Sequence, residues 1–266
     1  MQSEQQYIEL YEKCRTMICE HSAGVMNDVR EKAFDDFKCQ GFPTRKVERY
    51  KYTDIAKLFE PDYGLNLSRL DIPVNPYNAF KCDVPNLSTS LYFVVNDCFY
   101  TKLQPKGHLP EGVIVSSLKD EATKNPHFIA QYYAKLAKTD EDGINALNTM
   151  LAQDGLFIYV PKGVVVERTV QVINILRADV DLMVNRRVLI VVEEGAEIKL
   201  LFCDHAADDK RFLATQVIEA FVADNASLDL YCLEETHARN VRVSNLFIDQ
   251  QANSRGNHNV ITLRNG

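Results

Sequence analysis

At 266 residues the chain can bury roughly three quarters of its unfolded surface, so neither a disulfide nor a structural metal is needed to hold a core. Its 30 basic residues stand against 37 acidic ones, a formal net charge of -7 with a pI near 5.4. That balance argues against a dedicated nucleic-acid binder, which needs a basic face. The length admits one or two domains. Seven cysteines show no Cys-x-x-Cys spacing, and no apolar segment follows Met1-Gln2-Ser3-Glu4. Free thiols in a cytoplasmic protein are the expectation. The longest apolar runs, such as 188–192, are too short to span a membrane.

In chain order, Ser3 and Gln6 fit a capping box ahead of Tyr7, Leu10, Tyr11, Cys14, Met17 and Ile18, which recur with helical period. A second amphipathic run carries Val25, Met26, Val29, Ala33, Phe34 and Phe37, and Gly41 and Pro43 stop it. The basic and aromatic segment Pro43 to Asp54 reads as an extended surface stretch with snorkelling Lys and Arg stems. Asp54 then caps a short helix over 55–59. Residues 61–89, with four prolines, read as an irregular connection. Leu91 to Val95, Asn96-Asp97 and Phe99 to Leu103 form a hairpin pattern, since Asn-Asp suits the positive dihedrals of a tight turn. A strand over 112–116 follows. Asn125-Pro126 opens a helix with Phe128, Ile129, Tyr132, Tyr133, Leu136 and Ala137 on its buried face. A further short helix carries Ile144, Leu147, Met150 and Leu151 and is closed by Gly155.

From there the pattern changes to strands alone: 156–160, 170–176, 188–192, 197–203, 212–222, 227–233, 241–248 and 258–263. Ile198, Leu200 and Phe202, and again Leu228, Leu230 and Cys232, alternate as an inward set. Four corners punctuate the strands: Pro161-Lys162-Gly163-Val164, Glu194-Gly195-Ala196, Asp224-Asn225-Ala226 and Gln251-Ala252-Asn253-Ser254. Gly163 to Gly195, Ala196 to Ala226 and Ala226 to Ala252 are spaced 32, 30 and 26 residues. A strand-only repeat of that length predicts a coiled sheet whose turns stack. The junctions are longer and more charged than sandwich hairpins, although a jelly-roll-like double sheet fits the same strands. The expected organisation is a helical and mixed region over 1–155 and a β-helix over 156–266. A solenoid stopping at Arg264-Asn265-Gly266 leaves its last rung open, so a longer chain or a partner is expected there.

The chain has no Gly-rich phosphate loop, no Gly-x-Ser-x-Gly elbow and no His-Glu-x-x-His. Cys203, His205, Cys232 and His237 are suitable ligands for zinc or iron, but strand parity sends Cys203 outward and Cys232 inward. Cys232 is therefore read as a small core residue and Cys203 as a surface or partner-facing thiol. Asp179, Asp181, Arg186, Arg187 and Glu193 are candidates for a carbohydrate groove, against which stands their reading as solvated loop charges. His21, His108, His127 and His258 are scattered singly and read as surface or structural.

Pro43-Thr44-Arg45-Lys46, Glu48 and Tyr50-Lys51-Tyr52-Thr53-Asp54 resemble the N-terminal signature of the SufB/SufD family of the SUF iron–sulfur cluster assembly system, on its SufD side. Leu147-Asn148-Thr149 and Asp154-Gly155-Leu156-Phe157-Ile158-Tyr159-Val160-Pro161-Lys162-Gly163-Val164 resemble that family's entry into its β-helix, and the Glu193-Glu194-Gly195-Ala196 corner fits. Tyr50 departs from the tryptophan of many relatives. The resemblance covers nearly the whole chain. It implies an N-terminal helical region, a right-handed parallel β-helix and a C-terminal helical domain. It also implies a non-catalytic scaffold that works with SufB and the ATPase SufC to build and deliver nascent clusters. Family members are longer, so the SufC-docking helices and the cluster-linked histidine are expected beyond Gly266. A chain complete at Gly266 is expected not to recruit SufC in the family manner. No catalytic, cofactor-binding or metal residue is carried over, and the iron–sulfur cluster belongs to the complex. No nucleic-acid or membrane partner is expected. The alternatives are a carbohydrate-active β-helix lyase or hydrolase and a structural module that forms homodimers through its open end.

Overall fold

The protein is described by a computed structural model that covers residues 3–79, 89–102 and 108–264. Eight α-helices are seen among these residues: α1 Ser3–Glu20, α2 Gly24–Asp28, α3 Arg30–Gln40, α4 Ile55–Leu58, α5 Pro76–Ala79, α6 Leu118–Lys124, α7 Pro126–Ile129 and α8 Gly143–Leu151, with one 3-10 turn at Glu48–Tyr50. The strands are β1 Ser90–Val95, β2 Cys98–Phe99, β3 Ile114–Ser117, β4 Leu156–Val160, β5 Val170–Leu176, β6 Leu182–Val192, β7 Glu197–Ala206, β8 Phe212–Val222, β9 Ser227–Glu235, β10 Asn240–Gln250 and β11 Arg255–Arg264.

The period-2 strands stack into two sheets of a β-solenoid. One runs β11-β9-β7-β5-β1-β2 and the other β10-β8-β6-β4-β3. Every neighbouring pair from β4 onward is parallel. β1 joins the first sheet in parallel beside β5, and the antiparallel strands β2 and β3 finish the N-terminal edges. The expected inward set is the observed one: Ile198, Leu200, Phe202, Leu228, Leu230 and Cys232 pack with Val188, Ile190, Val192, Ile218 and Val222 inside the coil. Each such aliphatic side chain contributes about 1.5–3 kcal/mol on full burial.

The corners repeat in conformation as well as in sequence. Gly163, Gly195, Asn225 and Asn253 all hold φ between 56° and 70°. Each sits third in a turn closed by backbone bonds Val164→Pro161, Ala196→Glu193, Ala226→Ala223 and Ser254→Gln251. That is the place a type II turn reserves for Gly or Asn. Asn253 stacks on Asn225 at a separation of 28 residues, so the last period is 28. The sequence alignment of Ala226 with Ala252 was two residues out of step.

The helical region lies on the outer face of the β4-β6-β8-β10 sheet. Tyr7, Phe37, Phe42, Phe59 and Leu147 cover Met183, Leu213 and Val243, while Met26, Leu118, Ile129 and Tyr133 cover Phe157, Leu189 and Val191. α8 is the keystone, with all nine of its residues buried. At its N-terminus Asp142 accepts from the Ile144 amide at 2.8 Å and from the Tyr50 hydroxyl at 2.8 Å, with the Arg49 guanidinium at 3.1 Å. At its C-terminus the buried Arg30 donates to the carbonyls of Met150 at 2.7 Å and Ala152 at 2.9 Å. An anion at the start and a cation at the end of the helix both suit its dipole. Gly143 is required by contact: a Cβ there would lie 1.9 Å from the Gly41 carbonyl oxygen.

Several local expectations are corrected. Gln6 donates to the Phe59 carbonyl and makes no capping box with Ser3. The single amphipathic run expected from Val25 to Phe37 divides at Val29 into α2 and α3. The strand expected to reach Leu103 ends at Phe99, and Leu103 lies outside the described residues. The helix expected to run to Ala137 stops at Ile129. Beyond it the amides of Ala134, Leu136 and Ala137 converge on Glu219 of β8 at 2.9, 2.8 and 3.0 Å. A buried carboxylate supplied from far along the chain thus outcompetes the helical hydrogen bonds.

Candidate functional site

Alternation places two stacked columns of polar residues inside the solenoid. On one sheet Asn174, Asp204, Glu234 and Thr262 share a register position. On the other Arg186, Gln216 and Ser244 do so, with Arg242 on β10 beside them. This polar layer separates two apolar ones. Val172, Leu200, Phe202 and Ile218 lie on one side, and Leu176, Leu182, Phe212 and Ala214 on the other.

Asp204 is the hub of the layer. Its two carboxylate oxygens accept from Arg186 Nη1 at 2.5 Å and from Arg242 Nη1 at 2.6 Å. Arg242 also pairs with Glu234, whose other oxygen accepts from the Thr262 hydroxyl at 3.0 Å. Arg186 donates through Nε to the Asn96 carbonyl at 2.9 Å. Burial pulls the Arg186 guanidinium below its ordinary pKa, and the Asp204 carboxylate opposes this. Buried ion pairs of this kind roughly balance their desolvation, but removing one partner leaves a costly unpaired charge.

Arg187, next in sequence, points to the other face of β6. It donates to Glu219 at 2.6 Å and to the Thr149 hydroxyl at 3.0 Å, with its guanidinium 4.7 Å from the centre of the Tyr133 ring. Both side chains of this pair are wholly buried. Arg187 therefore ties the solenoid to the helical region.

The sequence candidates are distributed as follows. Arg186 and Arg187 are not solvated loop charges, because β6 begins at Leu182 and carries both into the interior. Asp181 and Glu193 flank the two ends of β6, about 40 Å apart at the usual rise of a strand. Asp181 is held by Arg211 at 2.8 Å and Asp179 by Arg177 at 2.8 Å. These acids do not form the paired carboxyls that glycoside hydrolysis uses across one bond. Cys203 and Cys232 lie on opposite faces of their sheet, as parity required. Cys203 is not a surface thiol: it is 1% exposed, packed with Leu91, Phe93, Ile173 and Ile175 beneath Tyr77 and Tyr100. His205 shares that outer face and approaches Glu235 at 4.0 Å. His237 contacts the Asp208 carbonyl at 2.7 Å. The Cys232 thiol faces inward, 3.7 Å from His258 Nε2. Burial pushes that thiol up to about 11, so it is protonated at neutral pH. Among the described residues, no group of three or more His, Cys, Asp or Glu is placed to hold a metal ion, and no helix is long and apolar enough to cross a membrane. Asp204, Glu234, Arg242 and Asn240 escaped sequence reading. Their signal is a charged or amide residue at an inward position of an alternating strand.

Comparison with known proteins supplies the family. The SufBD protein N-terminal region matches residues 1–172. The SufBD core domain of the SUF system for FeS cluster assembly matches residues 174–266. The chain belongs to the SufBD family. It is similar to the iron-sulfur cluster assembly SufBD family protein ABCI9 of Arabidopsis thaliana, 27% identical over 69% of this chain and 38% of the relative. It is also similar to the iron-sulfur cluster assembly protein SufD of Bacillus subtilis, at 28% over 69% of this chain and 41% of that protein. The chloroplastic protein ABCI7 of Arabidopsis thaliana is 26% identical over 85% of this chain and 48% of its own length. The chain thus spans less than half the length of these relatives. The β-solenoid with an N-terminal helical region is the architecture on which both matches lie.

Proposed function

We propose that this chain belongs to a SufD-type subunit, a non-catalytic scaffold that acts with SufB and the ATPase SufC in assembling iron–sulfur clusters and delivering them to recipient proteins. The observation that carries the reading is the pair of consecutive family matches, which together take in nearly every residue of the helical region and the solenoid. The Pro43-Thr44-Arg45-Lys46 segment and the similarity to a bacterial SufD support the SufD side of the family.

The interior supports a scaffold role. Its charged groups are spent on one another across rungs, through Asp204, Arg186, Arg242 and Glu234, and so stiffen the coil. The cluster is cargo of the assembly, and the contacts with SufB and SufC belong to the full-length protein. The six described cysteines are free thiols, which suits the reducing cytoplasm as the working compartment.

The test is co-purification. The full-length gene product, co-expressed with tagged SufC and untagged SufB, is expected to elute with both. Elution free of both would overturn the assignment. Recovery with SufC and SufD, with SufB left out, would move the chain to the SufB side.

A further inference from the structure

Tyr159, Val191 and Phe221 stand side by side on the outer face of β4, β6 and β8, and Asp249 of β10 continues the row. Phe128 and Tyr132 pack over it, with ring centres 5.4 Å apart for Phe128 and Tyr159 and 4.9 Å for Tyr132 and Phe221. All four rings are half-buried and so keep part of their surface in solvent. Glu193 lies two residues past Val191, on the same face by alternation, and is half-buried as well. Burial raises the pKa of the Tyr132 and Tyr159 hydroxyls and the Glu193 charge raises it further, so that carboxylate is close to both.

Elsewhere the chain joins rings and carboxylates three times through a cation of its own. Arg187 lies 4.7 Å from the Tyr133 ring centre and pairs with Glu219 at 2.6 Å. Arg211 lies 5.9 Å from that of Tyr63 and pairs with Asp181 at 2.8 Å. Arg49 lies 5.9 Å from that of Tyr50 and pairs with Asp142 at 3.1 Å. A guanidinium held between a ring face and a carboxylate gains from both. Among the described residues, no Lys or Arg lies over the four rings or pairs with Glu193. Lys162 is engaged by the next acid, Glu194, at 2.6 Å. We propose that this face docks an arginine-bearing segment of a partner protein, the guanidinium stacked on Tyr132 and Tyr159 with Glu193 as its counter-ion. Arginine fits better than lysine, because its planar head stacks and pairs at once. The surface is independent of the scaffold reading.

Nuclear magnetic resonance of the purified chain, with its aromatic rings isotope-labelled, reads this face directly. The probe is a blocked peptide with two arginines among glycines and serines, and the control peptide has glutamine in their place. The expected result is saturable shifts of the Tyr132, Tyr159 and Phe221 ring signals with the arginine peptide alone. Glu193→Gln breaks no ion pair among the described residues, so it is expected to fold normally and to weaken binding about threefold. Tyr132→Leu keeps an apolar side chain in place and is expected to weaken it about fivefold. Glu194→Gln, whose partner is Lys162, is expected to bind like wild type. Ring signals that stay still, an equal response to the glutamine peptide, or undiminished affinity in Glu193→Gln would overturn the proposal. So would a loss in Glu194→Gln as large as that in Glu193→Gln.

Discussion

Arg30 shows how much one side chain can carry in this fold. It is fully buried, and its guanidinium serves Met150, Ala152, Ser22 and Asn27 at once. Arg30→Met keeps the stem but strips the carbonyls at the end of α8 of their donor. With about 1–3 kcal/mol for each polar group left buried and unpaired, urea unfolding is expected to show a loss of several kcal/mol. A loss within experimental error would mean that α8 is not held from this end. Arg187→Met acts by another route, since it abandons the wholly buried Glu219 carboxylate. The expected loss is about 3–5 kcal/mol. Arg187→Met combined with Glu219→Leu should recover part of it, and a double variant no better than the single would refute the buried-charge explanation.

Two histidines set a pH dependence. Burial lowers the pKa of His205, with Glu235 and Asp204 opposing, and burial followed by Arg242 lowers that of His258. The unfolded chain binds these protons more readily than the folded one. Their contribution to stability is therefore full above the ordinary imidazole value of 6.5 and is lost as pH falls through it toward the folded values. Asp154, whose pKa burial raises, works in the opposite sense. The comparison is therefore best made between wild type and the double variant His205→Asn, His258→Asn. The urea midpoint of the wild type should fall more between pH 7.5 and 5.5 than that of the variant, and parallel curves would contradict this.

At the scale of elements, the solenoid was legible wherever local chemistry decides the outcome. The inward set of β7 and β9 follows from alternation, and the four corners follow from Gly or Asn at the position needing positive φ. Asn225→Val is accordingly expected to cost about 1–2 kcal/mol, the left-handed penalty for a residue with a Cβ, while Asn225→Gly stays close to wild type. Equal unfolding midpoints for the two variants would show that the corner does not depend on this dihedral. What could not be read depends on partners distant in sequence. The chain after α7 abandons its helix because Glu219, more than 80 residues on, takes three of its amides. Arg186 and Arg187 looked like a charged junction because the acids that admit them to β6, Asp204 and Glu219, lie on the following rungs. Cys203 was sent outward correctly, but the apolar cover over that face comes from Val74, Tyr77 and Tyr100 and is invisible in the strand itself.

At the scale of the molecule, the helical region and the solenoid share their cores. Met183, Leu213 and Val243 of the sheet belong to the same cluster as Tyr7, Phe37 and Phe59. Arg187 and Glu219 cross the same boundary in polar form. The two regions are thus joined by shared apolar packing and by the buried Arg187–Glu219 pair, while the buried Arg186–Asp204 pair lies inside the solenoid. The proposal that the protein serves iron–sulfur cluster assembly is tested most directly in the cell. Cluster occupancy of iron–sulfur enzymes can be measured after deletion of the full-length gene in a strain whose only other assembly proteins are SufB and SufC. The account predicts that occupancy falls and is restored by the wild-type gene. Occupancy unchanged by the deletion would contradict it.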